Sequence, residues 1–467
     1  MLLVAAADVL DATLVAAIGV VILAPIVRRI VRRRFDPFEP VVLFVLAYGV
    51  MFVLRPAAMI LRDERVYEGP RGTLDVSAGF TEMLVLALLG AVAFVVGYEL
   101  GLGRRLSRLH EPTVDEPPPG RIAGAAVLVG LLGAVAFVFA LASSGGVRAL
   151  GDIFRAGNTA DLETGAGSMY AWFLVLVTIP AALVLVRAAL ERRSKLLIAL
   201  AFAFVALVLV HAVPFGSRIA LLPFIGGLFM LLYLRRGSRP AVVTLVIVAA
   251  SAFLGSTFLS DLRGRATRDE GITETIARAT SPSRLESALT TGPDSEMAPV
   301  LSAALAVIPE DLPHTYGRSI FGDLVVRPVP RAIWPDKPES PRRELIATIW
   351  PVEFERGTIN PEFSALLYFY WDFGLLGVAL GLMAYGVLAR YLYEYLLVRG
   401  TTMYGQALFA MGAWFVVIGL RDSPVDTFVR ALFVLAPAWL VFALARSRLF
   451  AQAGVAAIDD YREGVAR

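Results

Sequence analysis

"VLDATLVAAIGVVILAPIVRRIVRRR", residues 9–34, decides the class of this protein. Residues 9–27 are apolar and, at 1.5 Å per residue, long enough to cross a hydrocarbon core of about 30 Å as one helix. The arginines that follow, Arg28, Arg29, Arg32, Arg33 and Arg34, hold one end of that helix in water. Asp8 and Asp11 mark the other end, and no basic segment precedes the run. It therefore reads as a retained span and not as a cleaved signal peptide.

The pattern repeats along the chain. Further apolar runs lie near 38–60, 78–100, 121–143, 169–190, 196–214, 217–234, 240–260, 362–390, 402–420 and 427–445. Together they predict about eleven spans. The composition agrees: of 467 residues, 57% are hydrophobic and 18% charged, with a mean hydropathy of +0.70. A soluble chain of this size would carry more charge and divide into domains. The expected fold is all-α and polytopic. It divides into helices 1–8 over residues 1–260, a large extracytoplasmic loop over 261–361, and helices 9–11 with a cytoplasmic tail over 362–467. There is no cysteine, which excludes disulfides, thiolate catalysis and cysteine-based metal sites.

Orientation follows from the basic clusters at 28–34, 103–108, 191–195, 235–239 and 445–448, which stand at every second connection. Short loops rich in Lys and Arg stay in the cytoplasm. The N-terminus is then outside, the C-terminus inside, and the longer connections 143–167 and 261–361 lie outside. Within the last of these, 295–310, "SEMAPVLSAALAVIPE", has helical apolar spacing and is expected to lie on the membrane surface. No glycine-rich phosphate loop or internal repeat appears, and nothing points to nucleic acid.

The span centres hold almost no ionisable residues. An ion-coupled transporter places carboxylates, lysines or histidines near the midplane. Here Arg55, Arg218, Asp372, Arg421 and Arg430 sit nearer the outer ends, and arginine on a translocated side runs against the usual bias. Arg218, in "VPFGSRIALLPF" at 213–224, stands where a helix restarts after Pro214 and Gly216. Free N–H groups, the positive dipole end and a guanidinium fork together make an anion site. The plainer alternative is an interfacial anchor. The stretch "RPVPRAIWPDKPES", 327–340, is stiffened by Pro328, Pro330, Pro335 and Pro338 and is no helix. It presents Arg331 and Lys337 to an anion, and Trp334 to a headgroup or a sugar ring, unless it is simply a surface turn. His314, in "EDLPHTYGRS", is a candidate base near neutral pH, close in sequence to Arg318; a structural role is the alternative. The three histidines are too scattered for a zinc site, and no metal or other cofactor is expected.

The stretch "VPRAIWPDKP", 329–338, resembles the PR-x-hydrophobic-W-P-x-K-P signature of the bacterial oligosaccharide repeat-unit polymerases, the O-antigen polymerase group. "SSGGVRALGDIFRAG", 143–157, resembles that family's first outer loop, and "FGSRIALL", 215–222, its arginine-bearing helix start. "YFYWDFGLLG", 368–377, resembles its N-F-G-x-x-G helix entrance, with Asp372 in place of Asn and Tyr368 where an acidic residue is common. The similarity runs from about 140 to 430.

The resemblance implies a fold like that of the GT-C glycosyltransferases. It also implies a reaction on the outer face of the bacterial plasma membrane, transfer of a polyprenyl-pyrophosphate-linked oligosaccharide to a sugar hydroxyl of a second lipid-linked unit. The absence of a D-x-D motif fits a metal-independent reaction. In that role Arg218, Arg318, Arg331, Trp334, Lys337 and Arg421 bind substrate, and His314 or Asp372 takes the proton of the acceptor. Membrane lipid, a flippase and a chain-length regulator are the implied partners. The alternatives are a ligase-type transferase with another acceptor, a polysaccharide flippase or transporter, and a non-catalytic assembly protein.

Overall fold

The structure is a computed structural model. It describes residues 2–447 apart from 65, 70–71, 111–115, 144–145, 147–172, 216–220, 242, 246, 249, 252–253, 256, 259–260, 263–270, 291–295, 327–328, 330–332, 357–360, 362 and 399–401. Among the described residues, eight helices are long and apolar enough to cross a membrane. They are Asp8–Val31, Pro40–Leu61, Phe80–Arg108, Pro119–Ser143, Lys195–Val213, Ala365–Val398, Met403–Arg421 and Pro424–Arg446. Each coincides with a run read from the sequence, so the chain is a polytopic, mainly helical membrane protein. Of the remaining three runs, 169–190 forms a 3-10 turn, Val175–Val177, and the helix Thr178–Arg192. The run 217–234 gives the shorter apolar helix Leu222–Arg235, and 240–260 is described only in part. The one departure from all-α among the described residues is a small antiparallel hairpin, in which Val66–Gly69 pairs with Gly72–Asp75.

The chain forms two compact units. The first comprises Met1–Leu109, Arg239–Tyr393 and Val416–Thr427, so most of the long connection 261–361 belongs to the same unit as the early spans. Its centre is the helix Phe80–Glu99. Phe94 stacks on Phe44 with ring centroids 3.6 Å apart, and Tyr48 donates its hydroxyl to Ala87 O at 2.6 Å. A Cβ added to Gly97 or Gly386 would strike the backbone of Met383 or Phe94. Those two glycines therefore let the Phe80–Glu99 and Ala365–Leu392 helices touch backbone to backbone, a close approach that helices in lipid rely on.

The basic connection after the first span is also structural. Arg29 pairs with Glu39 (Nε–Oε2 2.5 Å, Nη2–Oε1 2.8 Å) and with Glu99 at 2.7 Å. Arg390 reaches Glu39 at 2.7 Å, and Tyr98 donates to the same carboxylate at 3.1 Å. Arg29, Glu39 and Arg390 are buried, so the charges compensate one another where water cannot.

The expectation for 295–310 is corrected. Met297–Leu305 is a helix, but every residue in it is buried. Its sequence, MAPVLSAAL, has no polar face to offer water. Its one hydroxyl, on Ser302, donates to Val76 O at 2.8 Å.

The second unit comprises His110–Ser238, Glu394–Phe415 and Phe428–Arg467. Pro119–Ser143, Thr178–Arg192 and Lys195–Phe215 pack as three helices, with Gly130 seated against the Phe204 ring and Ala181. Gly227–Arg235 packs on Met403–Gly412.

Candidate functional site

The site is built on an irregularity in the ninth apolar run. Ala365–Leu392 is not one straight rod: Phe373 (φ −137°, ψ 17°) and Gly374 (φ 61°, ψ −150°) leave helical geometry. The second pair of angles is essentially open to glycine alone. The two halves fold back on each other. The Phe369 carbonyl meets Gly377, and a Cβ on Gly381 would lie 2.7 Å from the Phe369 ring. In a continuous helix residues 369 and 381 would be roughly 18 Å apart. Both halves also pack on Phe80–Glu99, in opposite directions. Leu366 lies at Gly90 and Tyr370 within electrostatic reach of Glu82, while Met383 lies at Gly97 and Arg390 over Tyr98. Residues 365–372 therefore form the inner arm of a helical hairpin, and 373–374 are its tip.

The tip holds the segment 313–320. Trp371 O accepts the backbone N–H of Thr315 at 3.0 Å, and Asp372 O that of Tyr316 at 3.2 Å. Trp371 Nε1 donates back to Pro313 O at 3.2 Å. The Asp372 carboxylate is fully buried. It accepts Ser319 N at 3.2 Å, Ile320 N at 3.1 Å and the Thr315 hydroxyl. These donors open the π-helical turn Arg318–Gly322, so Asp372 caps it as an anion caps a helix start. Its oxygens are engaged and it has no exposure, so the carboxylate holds the segment to the tip.

His314 lies on the open side of the same tip, half-buried, with Tyr370 and Tyr316 edge-on at 5.6 and 6.4 Å. Its Nδ1 is 3.1 Å from Trp371 O. A carbonyl only accepts, so Nδ1 carries the hydrogen, and in the uncharged form of such a ring Nε2 is the acceptor. Nε2 lies 3.9 Å from where a Cβ on Gly374 would sit. The two candidate bases of the sequence, 314 and 372, are thus brought together at one tip, the carboxylate buried and the imidazole half-exposed.

Arg318 starts the turn that Asp372 caps, and its side chain pairs with Glu344 at 2.9 Å with both largely exposed. Such a pair is worth at most about 1 kcal/mol, so an incoming anion displaces Glu344 at small cost. Lys337 turns back on its own loop, Nζ donating to Val329 O at 3.1 Å, and Trp334 is exposed. Arg421 stands half-buried at the end of Phe415–Arg421. The turn after it is capped by Ser423, which accepts Asp426 N at 2.9 Å. Arg218, Arg331 and the 147–157 part of the first outer loop lie outside the described residues.

Sequence reading missed Thr315, Tyr370, Trp371 and Gly374. Only Gly374 carried a signal, a glycine after an Asp–Phe pair inside an apolar run. A polar cavity of about 530 Å³ in the same unit, lined by Asp261, Arg278, Ser281, Ser283, Arg284 and Ser287, contains none of the residues singled out from the sequence. Comparison with protein-family models, with curated proteins and with solved structures gives no match to this chain.

Proposed function

We propose that the chain is a glycan polymerase of the bacterial plasma membrane, with a GT-C-like arrangement of about eleven spans and its site on the outer face. The observation that carries this reading is His314 at the hairpin tip. Its Nδ1 is engaged by Trp371 O, which leaves Nε2 for a substrate hydroxyl, at the outer end of a hairpin in a chain built of membrane spans.

In this reading the acceptor hydroxyl oxygen attacks the anomeric carbon of the donor. Nε2 of His314 takes the hydroxyl proton, the bond from that carbon to the pyrophosphate breaks, and polyprenyl pyrophosphate leaves as an anion. Arg218, Arg318, Arg331 and Lys337 stabilise that charge where it develops. Trp334 packs on sugar, Arg421 contributes to binding, and Asp372 holds the tip in shape. The substrate is the lipid-linked oligosaccharide, with membrane lipid around it and a flippase and a chain-length regulator as working partners.

Glycan analysis of a deletion strain tests the reading. Loss of the polymerase leaves single repeat units on the final acceptor. Polymer stranded on the lipid carrier would instead identify a ligase-type transferase, and repeat units trapped on the cytoplasmic side a flippase. The face is tested separately. In intact cells a cysteine at 237 is protected from an impermeant thiol reagent and one at 290 is labelled; the reverse would place His314 on the wrong side.

A further inference from the structure

The turn that follows His314 exposes two large apolar side chains beside the exposed Arg318. In 318–326, Ser319 and Ile320 are buried against the tip, whereas Phe321 is 62% exposed and Val325, one helical turn on, 73%. A turn that faces only water does not usually expose two such side chains on one face. Phe321 leans on Phe373, ring centroids 6.4 Å apart, and a Cβ on Gly317 would touch both rings. Phe373 is itself exposed and begins a line of exposed apolar side chains, Leu375, Leu376, Leu380 and Leu388, down the outer arm of the hairpin.

That line faces lipid. Residues 375–398, at 1.5 Å per residue, reach roughly 36 Å and cross the core without the inner arm. The inner arm, by contrast, is buried over most of its length. The height of the tip can be read from the shared neighbour. Met383 against Gly97 and Gly386 against Phe94 bring Gly374 level with the first turns of Phe80–Glu99. Glu82, exposed in the first of those turns, marks the polar boundary. The tip therefore stands at the edge of the hydrocarbon.

We infer that Phe321 and Val325, with Phe373, form an apolar keel seated in the acyl-chain edge of the bilayer, continuous with the lipid-facing line of the outer arm. The occupant is bilayer lipid, because the surface continues one that spans the membrane and offers no polar group to a protein partner over Phe321, Phe373, Leu375 and Leu376. Two consequences follow. The connection holding His314 is not a free aqueous loop but a membrane-seated one. Nε2 is then held close to the headgroup level, where it meets groups carried on lipid more readily than free solutes. The second consequence rests on the proposed function; the seating itself does not.

The chain has no cysteine, so single-cysteine variants test this directly. Spin labels at Phe321→Cys and Val325→Cys, in full-length protein reconstituted into phosphatidylcholine vesicles, are compared with Leu376→Cys in the lipid-facing line and Ser283→Cys in the polar cavity. The expected result is oxygen access far above access to a water-soluble nickel chelate at 321 and 325, as at 376 and unlike 283. Nickel access matching 283 would overturn the inference, and so would exclusion of both reagents, which would mean a second protein surface covers the patch. Should Phe321→Cys fold poorly, Val325→Cys carrying an environment-sensitive fluorophore reads the same answer. Quenching by bromine on the acyl chains supports the seating, and quenching only by aqueous iodide overturns it. Neither readout depends on polymerase activity, so failure here leaves the reaction standing, and an inactive enzyme leaves the seating standing.

Discussion

The Nδ1–H of His314 donates to the backbone carbonyl of Trp371 at 3.1 Å, across 57 residues of sequence. One contact fixes the ring, selects its tautomer and ties the long connection to the hairpin tip. A base role for His314 is testable because a substitution can keep this bond while removing Nε2. Asparagine places an amide donor near Nδ1 and has no group at Nε2. His314→Asn should therefore fold like the wild type and lose polymer formation by about 10²–10⁴-fold, the usual contribution of a general base. Normal polymer length and rate from this variant would remove His314 from the chemistry.

Asp372 should behave differently. An asparagine there still accepts from Thr315 and Ser319 but turns an amide N–H toward the N–H of Ile320. One buried donor is left unsatisfied, at about 1–3 kcal/mol. Asp372→Asn is expected to lower the melting temperature in detergent yet keep the pH profile of turnover unchanged. A profile that loses its acid limb in this variant would make the carboxylate the base after all.

At Gly374 the obstacle is conformation and not space. A Cβ there makes only ordinary contact with the His314 ring at 3.9 Å, but φ 61° with ψ −150° is strained for any other residue by about 1–3 kcal/mol. Gly374→Ala should lose stability in that range and reduce activity as the tip shifts. An alanine variant as stable and active as the parent would mean that the tip does not need this geometry.

Glu39 holds two buried arginines, Arg29 and Arg390. Removing it alone takes a carboxylate from both and leaves Arg29 with Glu99, so Glu39→Ala should cost about 3–5 kcal/mol, whereas replacing all three by apolar residues of similar volume should cost far less. Thermal unfolding of the parent, the single variant and the triple variant compares the two. Equal losses would show that the network stabilises through packing and not through charge compensation.

In the sequence Arg218 follows Pro214 and Gly216, and Arg331 stands among Pro328, Pro330 and Pro335. If both hold the leaving pyrophosphate, geometry should matter more at the first. Lysine lacks the planar fork. Arg218→Lys should then lose about as much polymerisation as Arg218→Ala, roughly a hundredfold, while Arg331→Lys is tolerated better. Normal polymer from Arg218→Ala at normal protein level would leave Arg218 as an interfacial anchor.

What the sequence determined by itself is the class. Residues 9–34 and the runs like it are local objects: length and apolarity within twenty residues suffice to make a span, and eight of the expected runs are span-length helices. It also singled out His314 and Asp372 as alternative candidate bases, without saying that they lie together. What only the tertiary structure decided depends on partners far apart in the chain. An apolar run of 362–390 reads the same whether straight or folded back at 373–374, because hydropathy is blind to direction; the reversal appears only when both arms meet Phe80–Glu99. The helix Met297–Leu305 looked fit for a membrane surface until other elements covered all its faces. The sequence offers Asp372 as a candidate base, and only the fold brings the N–H groups of Ser319 and Ile320, some fifty residues earlier, to its oxygens. A carboxylate's role is set by what donates to it, and only folding brings those donors within reach.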